Sequence, residues 1–244
     1  LGFLYDFDLA GGTEYDGTMS WWSRIEAILD GYYMTPTNQP TPNNLRWSNV
    51  IADLMLPQRT LLGGWCMVIP CFYLLWTAFR EKDMSLRAVI MLGVWGGALP
   101  LIHTHSFVAL ALCSLGVMIY DLIHDPQRWQ LLRRYVVYGG IAAVLAVPQL
   151  VLFTFAQTFQ GGETHTFMTF QFNWVNNPGG NGMLDFYLWF YVKNIGLPVI
   201  ALILALFERD RHTRRIFAGA LVIILAAELI RFQPNEYDNN KLLY

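Results

Sequence analysis

Two histidines one residue apart, in His103-Thr104-His105-Ser106, interrupt a run from 88 to 120 that contains no Asp, Glu, Lys or Arg. In a turn, alternate residues can point the same way, so such a pair can coordinate a metal ion or hydrogen-bond a phosphate. A plainer reading stands beside it: both imidazoles satisfy exposed carbonyls where two short helices end at Pro100. Imidazoles at apolar depth are costly without partners, so either reading demands specific contacts.

Four further groups carry chemistry. Lys193-Asn194 lies about eight residues into an apolar run and precedes Gly196 and Pro198, both of which loosen a helix. A lysine at that depth reads as a functional site, as a stem that snorkels outward, or as one half of an ion pair with Glu228. The tail from Phe232 to Lys241 groups Glu236, Asp238 and Lys241 with four amides, a set able to bind sugar hydroxyls or a metal–phosphate, or to form an ordinary polar loop. Asp6-Phe7-Asp8 has the D-x-D form with which sugar-transferring enzymes hold a divalent cation, although three residues among other acids produce it by chance. Arg59, after Pro57-Gln58, can meet a lipid headgroup phosphate or anchor a helix at the interface.

The elements that must hold these residues are membrane helices. The chain is 55% hydrophobic and 14% charged, with a mean hydropathy of +0.34, too apolar for an ordinary soluble domain. A single helix over 88–120 would overshoot a hydrocarbon core of about 30 Å, so a hairpin turning at Pro100–Ser106 is expected. The expected fold is an all-α polytopic bundle of about six spans, near 61–79, 88–102, 106–123, 135–155, 186–207 and 216–232. Residues 1–60 are expected outside the bundle, with two short amphipathic helices carrying Trp21, Trp22 and Ile25 and then Trp47, Ile51 and Met55. Their apolar faces suit either the headgroup layer or the side of the bundle. The aromatic loop 157–184 reads as a lid or binding surface, and 233–244 as a polar loop.

Basic residues orient this arrangement. Arg80, Lys82 and Arg87, then Arg128, Arg133 and Arg134, then Arg209, Arg211, Arg214 and Arg215 make up ten of the sixteen Lys and Arg. The positive-inside rule places those three loops in the cytoplasm and both chain ends outside the cell membrane. Cys66, Cys71 and Cys113 fall in apolar segments without metal or disulfide spacing. No phosphate-binding loop, dinucleotide fingerprint, serine triad or basic aromatic patch for nucleic acid is present. Gly93-x-x-x-Gly97 permits close helix packing and is also common by chance. The chain runs from Leu1 to Tyr244, just past a polar loop, and is expected to be an internal portion of a longer polytopic protein.

Four pieces taken in order, Asp53-Leu54-Met55-Leu56-Pro57-Gln58-Arg59, Gly97–Phe107 around the His turn, Phe190–Leu197 around Lys193-Asn194, and Phe232–Lys241, resemble a family of large, mostly uncharacterised prokaryotic multi-pass membrane proteins of glycosyltransferase-like (GT-C type) architecture. The resemblance covers residues from about Asn49 to the end, and Asn235 and Tyr237 depart from a motif richer in Trp. It implies transfer of a sugar from a lipid-phosphate-linked donor, such as a polyprenyl-phosphate sugar, on the extracytoplasmic face. It also implies that the usual catalytic acid, in a first outward loop, falls outside these residues.

The expected site therefore joins His103, His105, Lys193, Asn194, Arg59 and Lys241 as substrate contacts with Glu236 or Asp238 as base. A divalent cation is the candidate cofactor, with no ligand set assigned, and membrane lipids are the expected surroundings. Two other classes remain open: a transporter or flippase using Lys193, Glu228 and the His pair as a polar path, or a non-catalytic membrane subunit.

Overall fold

The computed structural model describes residues 22, 55, 58–79, 85–155, 168–170, 172–173, 176, 185–232 and 240–243. Outside them lie Asp6, Asp8, Glu236 and Asp238, most of the 157–184 loop, and all but Trp22 and Met55 of the two expected amphipathic helices. In chain order the elements are α1 (Arg59–Ala78), α2 (Leu86–Ala98) with a 3-10 turn (Leu99–Leu101), α3 (Thr104–His124), and α4 (Arg128–Gln149) continued by a π-helical turn (Leu150–Phe155). There follow β1 (Thr169–Phe170), α5 (Tyr187–Ile195), α6 (Leu197–Ala205), α7 (Arg211–Leu229), β2 (Ile230–Arg231) and α8 (Asn240–Leu243). The chain divides into two compact units, Gln58–Phe172 with Glu208–Tyr244, and Leu1–Pro57 with Asn173–Phe207.

The first unit is a helical bundle whose chain direction alternates. Glycines set its closest seams. A Cβ on Gly93 would lie 2.8 Å from Ile141 Cβ, and one on Gly97 2.8 Å from Leu145 Cβ, so α2 and α4 run parallel with almost no separation. The Gly93-x-x-x-Gly97 spacing is thus the α2–α4 seam. On α3, a Cβ at Gly116 would collide with the Ala218 carbonyl oxygen, which locks α7 antiparallel against it. Between the seams lie Val68, Leu75, Val89, Leu92, Leu110 and Val117. The outer faces are apolar too: Ile69, Tyr73, Val144 and Leu152 are each more than 60% exposed. A bundle with apolar side chains inside and out suits lipid as solvent.

Among the described residues, three helical stretches are long and apolar enough to cross a membrane: Arg59–Thr77, Thr104–His124 and Arg128–Thr154. The pair α5 and α6 makes a fourth if counted as one broken span. Two of the six expected crossings fall short for physical reasons. The apolar helix Leu86–Leu101 spans about 24 Å at 1.5 Å per residue, and α7 carries Arg211, Arg214, Arg215 and Glu228. Helices also begin before the apolar runs do: α4 starts at Arg128 rather than near 135, because Arg, Gln and Leu extend a helix readily beyond its apolar face.

Alternation gives the bundle two unlike ends. One gathers Arg59, the His turn, the C-terminal end of α4 and, because α7 runs antiparallel to α3, Glu228. There β1 pairs antiparallel with β2, Thr169 opposite Arg231 and Phe170 opposite Ile230, so the middle of the 157–184 loop is tied beside the end of α7. The other end collects Arg87, Arg128, Arg133, Arg134, Arg209, Arg211, Arg214 and Arg215. Charge alone grouped these residues on one side; Arg80 and Lys82 lie outside the described residues.

At the basic end Asp210 caps α7, its carboxylate accepting from the Thr213 N–H at 2.8 Å and the Thr213 hydroxyl at 2.9 Å. Those bonds hold the carboxyl below its ordinary value of 3.8, the backbone N–H first. A depressed carboxylate adds stability above the ordinary value and loses it as pH falls through the lowered one. The first turn of α7 is therefore expected to fray as pH drops below 3.8. In Asp210→Asn, an uncharged cap, the NMR carbon shifts of Arg211–Thr213 should show no such step; an identical step in both proteins rules the cap out as its source.

The second unit is described through Asn173, Asn176 and 185–207. Helices α5 and α6 meet at 120°. The corner is Gly196, at φ 78° and ψ −134°, a conformation in which a side chain is strained. Pro198 then starts α6, where its missing N–H has no intrahelical role. The expected span 186–207 is thus two short helices rather than one.

Candidate functional site

Pro100 has no N–H to give to the α2 ladder, and the chain tightens into a 3-10 turn. The Leu99 carbonyl accepts from Ile102 N at 2.9 Å and from His103 N at 2.8 Å. Gln149, from the last turn of α4, repairs the break. Its Oε1 accepts from Leu101 N at 3.0 Å, and its Nε2 donates to the Gly97 carbonyl at 2.9 Å. One side-chain amide thus stands in for the bond that Leu101 N and Gly97 O would have made to each other.

His103 follows in an extended conformation, φ −155° and ψ 103°, as the residue that caps α3. Its Nδ1 accepts from the Ser106 N–H at 3.3 Å and lies 2.9 Å from Ser106 Oγ. A cap is therefore present, but it is His103 accepting an N–H at the start of α3, not both imidazoles meeting exposed carbonyls. A peptide N–H can only donate, so Nδ1 carries no proton and Nε2 does. That tautomer presents an N–H, which suits an anion and not a metal ion. His105 stands beside it, ring centroids 5.3 Å apart, and both side chains are buried. The backbone of α1 presses on the turn: a Cβ on Gly64 would lie 2.6 Å from His103 Cβ and 2.7 Å from Ser106 Oγ.

The remaining candidates fall as follows. Arg59 is exposed in the first turn of α1, at the His-turn end. Glu228 is buried near the end of α7, at that same end. Lys241 lies on α8, which packs on α3 and α7. Glu236 and Asp238 lie outside the described residues. Lys193 and Asn194 belong to the other unit. There the buried Lys193 ammonium pairs with Asp185 at 2.5 Å. Asn176, fully buried, fixes Asp185 through both of its main-chain groups, donating to its carbonyl at 2.9 Å and accepting from its N–H at 3.2 Å. Asn194 donates to the Phe190 carbonyl at 3.0 Å, a bond within its own helix.

Several polar residues that hold this molecule were not singled out by spacing. Asp185 and Gln149 are two. The third group is at the basic end, where Arg215 grips Asp121 with Nε–Oδ1 2.7 Å and Nη2–Oδ2 2.8 Å. Tyr135 donates to the same carboxylate at 2.7 Å, and Arg215 Nη1 reaches the Trp76 carbonyl at 3.3 Å. Four helices meet in that cluster. The available signal was Asp121 closing a long uncharged run and Arg215 opening an apolar one.

Among the described residues no three His, Cys, Asp or Glu side chains come together as a metal site. The His turn sets two buried imidazoles at one bundle end, with a guanidinium on a neighbouring helix terminus. No protein-family model matches the chain, and comparison with curated proteins and with solved structures finds no match either.

Proposed function

We propose that this chain is a glycosyltransferase-like membrane protein that takes a lipid-phosphate-linked sugar at the His-turn end of its bundle. The observation that supports the reading is the gathering of two buried imidazoles, His103 and His105, with the exposed Arg59 guanidinium at one bundle end. Arg59 and His105 would share the phosphate charge, with Lys241 near the sugar. Glu236 or Asp238 would accept the acceptor's proton. Phosphate binding through preset donors in a water-poor site is worth far more than the same contacts in water. In this proposal the bundle completes six crossings, with α2 and α7 shielded by their neighbours and the His turn facing away from the cytoplasm.

The cap and the anion contact can be separated by mutation. His103→Asp keeps a side chain able to cap α3 but sets a negative charge against a phosphate. The α3 cap should persist, with amide exchange at Ser106 unchanged, while binding of a polyprenyl-phosphate sugar weakens about tenfold to a hundredfold. The pair His103→Ala and His105→Ala should lose binding as well. Undiminished binding in His103→Asp sinks the proposal.

Transport is a second reading, favoured by the 120° break between α5 and α6 beside the buried Lys193–Asp185 pair. Broken helices next to buried charges are how transporters build paths at membrane depth. On that reading Lys193→Met stops flux of the lipid-linked sugar in proteoliposomes while transfer activity is absent throughout.

A further inference from the structure

The basic end of the bundle carries more positive charge than its carboxylates balance. Asp121 is taken by Arg215 and Asp125 by Arg211, the latter at 3.7 Å. Asp210 caps α7, and Glu208 accepts from the Arg209 and Asp210 N–H groups at 2.7 Å and 2.9 Å. Among the described residues no carboxylate forms an ion pair with Arg128, Arg133, Arg134 or Arg214. Arg215 reaches Tyr135 from α7 on the buried face of α4, while Arg133 lies on the opposite, exposed face.

The same end of α4 opens onto an uncovered apolar stripe. Trp129, Arg133, Val136, Gly140, Val144 and Val147 recur at three- and four-residue spacing, and all are exposed. Trp129 is 70% exposed and Val144 74%. Between them a Cβ at Gly139 or Gly140 would meet nothing within 4 Å, so a shallow notch follows the valines. An amphipathic aromatic, then guanidinium groups, then a notched apolar strip is the order met on passing from headgroup to acyl chain.

We propose that this stripe of α4 is a binding surface for an anionic phospholipid. Arg133 and Arg134 meet the headgroup, and an acyl chain lies along Val136, Gly140 and Val144. The surplus of guanidinium charge selects an anionic over a zwitterionic lipid, since each basic side chain near the surface favours negative headgroups. The proposal rests on α4 crossing the bilayer and is independent of any chemistry at the His turn.

The full chain is reconstituted in nanodiscs of phosphatidylcholine with spin-labelled phosphatidylglycerol or phosphatidylcholine, and the immobilised fraction gives relative affinities. The wild type should prefer phosphatidylglycerol, with the preference falling as salt rises. Arg133→Gln with Arg134→Gln should lower it about thirty-fold. Gly140→Leu, which fills open space and so should leave the fold unchanged, should reduce retention of both lipids without altering the salt dependence. Three results would overturn the proposal: an undiminished preference in the arginine variant, full displacement of the lipid by inorganic phosphate, or quantitative cross-linking of two copies through Gly140→Cys.

Discussion

Asp121→Ala is expected to lower stability by about 3–5 kcal/mol, the cost of leaving a buried guanidinium without its partner. The carboxylate is 5% exposed and Arg215 7%, so water cannot replace what is lost. The damage spreads because one carboxylate serves two donors from two helices, Arg215 on α7 and Tyr135 on α4. Tyr135 also stacks on Phe79 with centroids 4.0 Å apart, which carries the disturbance to the end of α1. Unfolding in nanodiscs, followed by heat or by denaturing detergent, measures the effect. The informative comparison is the double variant Asp121→Leu with Arg215→Met, which removes both charges together. It should be clearly more stable than either single variant, because desolvating an unpaired charge is the dominant penalty. A double variant as unstable as the sum of the singles would mean that the cluster acts through packing alone.

Gln149→Leu is expected to cost about 1–3 kcal/mol, since it removes the partner of the Leu101 N–H and of the carbonyl of the buried Gly97. The substitution adds apolar surface to a largely apolar bundle, so a hydropathy argument forecasts the opposite sign. Gln149→Glu should fall between: its carboxylate still accepts from Leu101 N but cannot donate to Gly97. The turn itself reports the defect, because Ile102 and His103 hang from the Leu99 carbonyl immediately after the repaired bond. Amide exchange at Leu101, Ile102 and His103 should accelerate in Gln149→Leu, and anion binding at the His turn should weaken with it. Unchanged exchange together with unchanged stability would show that the amide bridge contributes nothing.

These two clusters mark the boundary of what spacing reveals. Apolar runs bounded by Arg59, Arg80 and Arg128 predict helices because lipid tolerates no unpaired backbone, and that constraint acts locally. Pro100 announces the hairpin for the same kind of reason, a missing donor within one turn. The sharper expectation for His103, a cap or a ligand, was equally local in origin: capping needs only Ser106 three residues on. By contrast, Gln149 lies 48 residues from Leu101, and Arg215 lies 94 from Asp121. No periodicity within a helix encodes either distance. The Gly93–Gly97 spacing was visible as a pattern, but its partner Ile141 was not.

By itself, then, the sequence determined the helical class, the turn at Pro100, the separation of basic from His-bearing ends, and the presence of weak points at Gly196 and Pro198. Tertiary structure alone decided that Gln149 mends the α2 break, that Gly64 presses on His103, that Lys193 meets Asp185, and that Arg215 points inward while Arg214 stays exposed. The physical reason is the range of each interaction. Backbone satisfaction and hydropathy are settled within a turn or a span, whereas the partner of a buried charge or amide is set by which helix the glycine seams allow to approach.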